Sequence, residues 1–188
     1  MPDYPFSVFS VLGFVFCVEP AWFNWRQRQT SWSGMILLGW ICVYNFFSFV
    51  DSVIWSEDDI ASWFDGAGYC DIVSRMKMCF PFGILGSTIG ICVFLLASIG
   101  NSMEQVTKKN WTRMRILDIS LGLGLPVVFC ALHFVIEPFR YRIIGVTGCQ
   151  SSFDSSWPTL VLSTIWPPIL SIVSQILAGI SFPCPHLT

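Results

Sequence analysis

Apolar residues along the chain gather in long runs and do not alternate with polar ones. YPFSVFSVLGFVFCVEPAWF, GMILLGWICVYNFFSFV and CFPFGILGSTIGICVFLLASI are three of them, and ISLGLGLPVVFCALHFVI and TLVLSTIWPPILSIVSQILAGISF follow. Each is close to the roughly 20 residues that carry a helix across a bilayer. The pattern predicts about five spans, near residues 4–23, 34–55, 70–99, 116–136 and 159–182. The third is longer than a bilayer needs, which leaves a turn or two outside it or tilts the helix. Trp166-Pro167-Pro168 interrupts the fifth and predicts a kink there, which neighbouring helices in a bundle can accommodate. The expected fold class is all-α, an integral membrane helical bundle forming a single transmembrane domain over residues 1–188.

Composition strengthens that reading. The 188 residues are 54% hydrophobic and 12% charged, about half the charge that coats a soluble domain. The first run is preceded by Asp3 and by no base, and its basic residues come afterwards, so it reads as a first span and not as a signal peptide. A net charge of −2 and the lack of a Lys/Arg block exclude nucleic acid as a partner. Of eight cysteines, Cys17, Cys42, Cys79, Cys92 and Cys130 fall inside apolar runs, where a thiol acts as a small hydrophobe. There is no CxxC, GxSxG, HExxH or Walker loop. No metal, cofactor or catalytic set is expected, and the reading is non-enzymatic.

The loops suggest an orientation, because Lys and Arg are retained in the cytoplasm. Arg26 and Arg28 lie in the first connection, and Lys108, Lys109, Arg113 and Arg115 in the third. The second connection carries Glu57, Asp58, Asp59 and Asp65 with no base, and the fourth carries Arg140 and Arg142 against Glu137 and Asp154. The N-terminus is therefore expected outside and the C-terminus in the cytoplasm of a multi-pass plasma membrane protein. The sequon Asn110-Trp111-Thr112 then falls on the cytoplasmic side and reads as chance. Cys70 and Cys149 share the oxidising side, where pairing and two free thiols are both open.

Charges within spans are costly and usually face a bundle interior, a wet cavity or one another. Glu19, Asp51 and Asp118 lie near span ends, where contact with water would suffice. Asp71 and Arg75 are four residues apart, on one helix face in the favourable acid-then-base order. Lys77 lies on another side of that helix and is expected to snorkel to the surface. His133 and Glu137 are also four apart, and fit either a proton relay or a hydrogen-bonded structural histidine. Gly86 and Gly90 form a GxxxG that permits close helix approach. Tyr4, Trp22, Trp25, Trp32, Trp55, Trp63, Tyr69 and Trp157 read as interfacial belts.

Several of these residues occur together in one family. Cys70-Asp71-Ile72-Val73 opens span three, and Asp118, Gly122, Gly124 and Pro126 form Asp-x-x-x-Gly-x-Gly-x-Pro in span four. Ala131-Leu132-His133, Gly148-Cys149, Trp157-Pro158 and Trp166-Pro167-Pro168 follow in order. The chain resembles the fungal mating-pheromone receptors of the a-factor type, which are seven-helix G-protein-coupled receptors for farnesylated lipopeptides. The resemblance implies a lipopeptide pheromone and a heterotrimeric G protein as partners, in contact with membrane lipid, with a receptor oligomer as a further association. It implies an outward-facing ligand cavity lined by Asp71, Arg75, His133 and Glu137, with the loop above held by a Cys70–Cys149 disulfide.

The chain departs from that family in two places. It ends at Thr188, just after the fifth span, so a receptor truncated before spans six and seven is expected, and the cytoplasmic end of span three, Cys92 to Ile99, has no charge. Both fall where a G protein would engage. The alternative reading is a small non-signalling membrane protein that pairs with a full-length receptor. A transporter would call for an inverted repeat or central charges, and the sequence has neither.

Overall fold

The computed structural model describes residues 4–27, 32–55, 65–100, 108–136, 141–144, 147–151 and 157–181. Helices α1 (Tyr4–Gln27), α2 (Trp32–Ile54) and α3 (Tyr69–Gly100) come first. Helix α4 (Lys108–Ile119) runs through a π-helical turn at Ser120–Gly124 into α5 (Leu125–Ile136). Strands β1 (Arg142–Ile144) and β2 (Gly148–Gln150) form an antiparallel hairpin. A short α6 (Trp157–Thr159), a second π turn at Leu160–Thr164 and α7 (Trp166–Ser181) complete the described chain. Among the described residues, Trp32–Ile54, Tyr69–Ser98 and Trp111–His133 are long and apolar enough to cross a membrane, and Val8–Phe23 and Trp166–Ser181 are shorter apolar helices. The fold is an all-α membrane bundle.

Burial follows the logic of a lipid solvent. Large apolar side chains such as Phe9, Phe16, Ile72, Val127 and Ile176 are exposed, whereas Ser33, Ser48, Ser52, Ser74 and Ser87 are buried. Where lipid offers no hydrophobic drive between helices, small residues let backbones come close and polar groups pair across the interface. Helix α3 is the centre: it packs against α2, α5, α7 and the first π turn, while α1 lies against α2. Phe129 joins three helices, stacking on Phe82 of α3 at 4.1 Å between centroids and meeting Trp166 of α7 at 5.6 Å.

The glycines of the expected GxxxG serve contacts inside the chain. A Cβ at Gly86 would overlap the Leu121 carbonyl oxygen, and one at Gly90 would overlap Ser33 Oγ. The pair lets α3 touch the π turn and the start of α2.

The first π turn has a local cause. Pro126 has no N–H to give the Gly122 carbonyl four residues back, and the helix takes up one extra residue, with Leu125 N–H bonding Ser120 O. Trp40 Nε1 of α2 donates to Gly122 O at 2.9 Å, supplying the hydrogen bond that the proline withholds.

The second interruption falls next to the Trp-Pro-Pro kink expected from sequence, with the bend one residue before Trp166. The chain forms a π turn, with Ile165 N–H donating to Leu160 O at 3.1 Å, and bends at Ile165 before α7 starts. Pro167 and Pro168 therefore occupy a first helical turn, where a missing N–H costs little. The helix that carries the fourth span begins well before residue 116, at Lys108, and includes Trp111 and Thr112 of the sequon. The hairpin has no counterpart in the sequence reading.

Two glycines separate packing from propensity. Gly86→Val should cost about 1–3 kcal/mol, because the obstructing atom is backbone and cannot swing away. Gly39 has nothing within 4 Å of its would-be Cβ, so Gly39→Ala should be neutral or stabilising by about 0.5–1 kcal/mol. Thermal unfolding midpoints of detergent-solubilised protein would show both.

Candidate functional site

The end of the bundle where α2 finishes and α3 begins is closed by the β1–β2 hairpin. Alternation along the two short strands sets its faces: Ile143 pairs with Cys149 and points inward, while Arg142 and Ile144 are exposed. Trp55, Cys70, Val73 and Cys149 form a buried cluster beneath, with Phe47, Tyr69 and Tyr141 packed against it. Cys70 and Cys149 are joined by a disulfide, with Cα atoms 5.2 Å apart. Tyr141 Oη donates to Asp65 O at 3.1 Å, and Ser151 Oγ donates to Ser74 O at 3.3 Å.

Beside the disulfide lies an ionic centre. The Asp51 side chain is 0% exposed and forms a salt bridge with Lys77, itself 10% exposed. Tyr69 Oη donates to Asp51 Oδ1 at 2.9 Å, and Lys77 Nζ to Asp51 Oδ2 at 2.5 Å. The same ammonium donates to the Thr147 carbonyl in the hairpin turn at 2.7 Å. Gly148 follows at φ +65, and a Cβ there would lie 2.5 Å from Asp51 Cγ. Glycine is required twice over, by the left-handed backbone and by the carboxylate against it.

These contacts correct three expectations. Lys77 does not snorkel outward, because a buried carboxylate without a counterion would be far costlier than the lysine's own desolvation. Asp51 is not wetted at an interface. Trp55, 1% exposed, is a core residue and not part of a belt, and Tyr69 is committed to Asp51. Trp22, Trp32 and Trp157 are exposed, as belt residues would be.

At the opposite end Asp118, also expected to be wet, is 5% exposed. Its Oδ2 accepts the Ser33 backbone N–H at 3.4 Å, which places a carboxylate at the amino end of α2. An anion there offsets unpaired N–H groups and the positive end of the helix dipole. Arg115 lies over the Trp32 and Trp111 rings at 5.7 and 5.6 Å.

A cavity of about 500 Å³ lies between α2, α3 and α5. Trp40 lines it from α2, Arg75, Met76 and Cys79 from α3, and Pro126, Val127, Cys130 and Ala131 from α5. Arg75 is the one charged residue among these, and the surface the cavity presents is almost wholly apolar, so the space suits an apolar group. Of the four ligand-site residues expected from sequence, Arg75 is on this wall and Asp71 and His133 are not. Asp71 lies one turn above, with Oδ1 buried and lacking a hydrogen-bond partner among the described residues. His133 is buried near the end of α5, and Glu137 lies outside the described residues. The sequence reading did not find Trp40, Met76 and Cys79 as lining residues, since nothing in an apolar run distinguishes a wall from a lipid face.

The model of the pheromone A receptor family matches residues 5–184. The chain belongs to the pheromone A receptor family. It is 30% identical to the pheromone a factor receptor of Saccharomyces cerevisiae over 82% of this chain and 33% of that protein. It is 32% identical to the pheromone M-factor receptor of Schizosaccharomyces pombe over 78% of this chain and 39% of the relative. Pheromone receptor 1 of Mycosarcoma maydis is 24% identical over 97% of this chain and 50% of its own length. The chain thus spans between about a third and a half of these pheromone receptors. No solved structure matches. The chain places its hairpin, disulfide and Asp51–Lys77 pair at one end, and the Arg75 cavity beside them.

Mass spectrometry of a non-reducing digest should recover a peptide linking Cys70 to Cys149. Alkylation of both as free thiols would rule out the bond.

Proposed function

We propose that the chain is the ligand-recognising part of a mating-pheromone receptor, a G-protein-coupled receptor of the fungal plasma membrane that takes a lipopeptide pheromone. Family membership over residues 5–184 carries this reading. The Arg75 cavity supports it, because its apolar walls suit a prenyl chain. In this reading Asp71, His133 and Glu137 are further ligand residues beside Arg75.

The hairpin end faces outward and the N-terminus is extracellular. The acid-rich connection between α2 and α3 and the disulfide belong to that end, and the basic residues around Arg26 and Lys108–Arg115 to the other. A heterotrimeric G protein then meets the basic, cytoplasmic end. Signalling requires ligand and G protein to favour the same one of two helix arrangements.

Pheromone response in cells carrying the full receptor is the test. Arg75→Ala should raise the pheromone concentration for half response at least about tenfold, the loss of about 1.4 kcal/mol. Arg142→Ala, on the exposed edge of the hairpin, should change it less than about threefold. Equal effects would remove Arg75 from the ligand site.

A further inference from the structure

We infer that Asp51 and Lys77 are positioning residues, which set the hairpin over the ligand end of the receptor and through it the affinity for pheromone. The inference rests on the receptor reading above. Lys77 Nζ has two acceptors on different parts of the molecule: Asp51 Oδ2 at the end of α2 and the Thr147 carbonyl in the hairpin turn. One ammonium on α3 thereby joins α2 to the hairpin. The Asp51 carboxylate holds that ammonium in place while Tyr69 occupies its other oxygen, so each group has one orientation available. The bare face of Gly148 packs directly on Asp51, and the turn can come this close only without a side chain. The disulfide, Tyr141 and Ser151 fix the strands of the hairpin to the bundle. The ion pair adds an attachment at Thr147, on the side of the hairpin that those contacts do not reach.

Lys77→Gln keeps a donor but removes the charge and shortens the reach. Gly148→Ala pushes the turn off Asp51 while leaving both ionic side chains in the sequence, its methyl crowding the carboxylate that Lys77 holds. Lys77→Arg retains charge and reach. The full receptor in lipid nanodiscs would be followed in two ways: by amide exchange at Thr147–Ser151, which needs no ligand, and by binding of a labelled S-farnesylated peptide. Both disruptive variants should accelerate exchange at these amides about tenfold or more while the Cys70–Cys149 peptide persists. Both should weaken peptide binding about tenfold, and Lys77→Arg should recover binding to within about threefold of the parent. If Lys77→Gln does not reach the membrane, the double variant Asp51→Asn/Lys77→Gln, which leaves no unpaired buried ion, takes its place.

Unchanged exchange in both disruptive variants would overturn the inference whatever the peptide does. Faster exchange with parental affinity would also overturn it, by separating the hairpin from ligand recognition. Failure of the parent receptor to bind any prenylated peptide would instead count against the receptor reading, with the exchange data still deciding whether the pair holds the hairpin.

Discussion

A carboxylate without water is the constraint on which the ordered end of this bundle depends. Asp51 has no exposed surface, and a lone ion there would be too costly to retain. Lys77, Tyr69 and a glycine backbone satisfy and enclose it, and between them they bring two elements to α2. The lysine and tyrosine bring α3, and the glycine brings the hairpin. Trp55, one turn beyond Asp51, then closes the core beneath the disulfide.

The same requirement recurs deeper in the molecule with neutral groups. Pro126 leaves the Gly122 carbonyl without a donor, and Trp40 supplies one from the neighbouring helix. The amino end of α2 leaves N–H groups open, and Asp118 accepts one of them from the fourth span. These bonds connect α2 to the α4–α5 rod at two levels, one at mid-helix and one at an end. In a solvent that offers no hydrogen bonds, such pairings determine which helices are neighbours as much as shape does.

How much of this was legible follows from what runs of apolar residues can encode. They marked the all-α membrane bundle plainly, because length and greasiness do not depend on partners. They did not mark faces: in a helix apolar on all sides, Lys77 had no visible reason to turn inward, and its partner lies 26 residues away in sequence. The hairpin was invisible because three-residue strands give almost no period. Trp55 looked interfacial because it ends a span, although the chain folds back over it. At the candidate site, Arg75 was found because a charge in a span stands out. Trp40, Met76 and Cys79 were not, since their chemistry matches their lipid-facing neighbours.

The π turn at Ser120–Gly124 has a consequence for the whole rod that contains it. One surplus residue, in a helix of 3.6 residues per turn, rotates everything beyond it by about 100° relative to an uninterrupted helix. The rod buries Asp118 before the turn, and Pro126 and His133 after it, along a line that a regular α-helix would not keep. In effect it is two helices with different facings on one axis. A regular α-helix formed by this same sequence would have almost the same length and polarity, yet would turn its upper half to face the wrong neighbour.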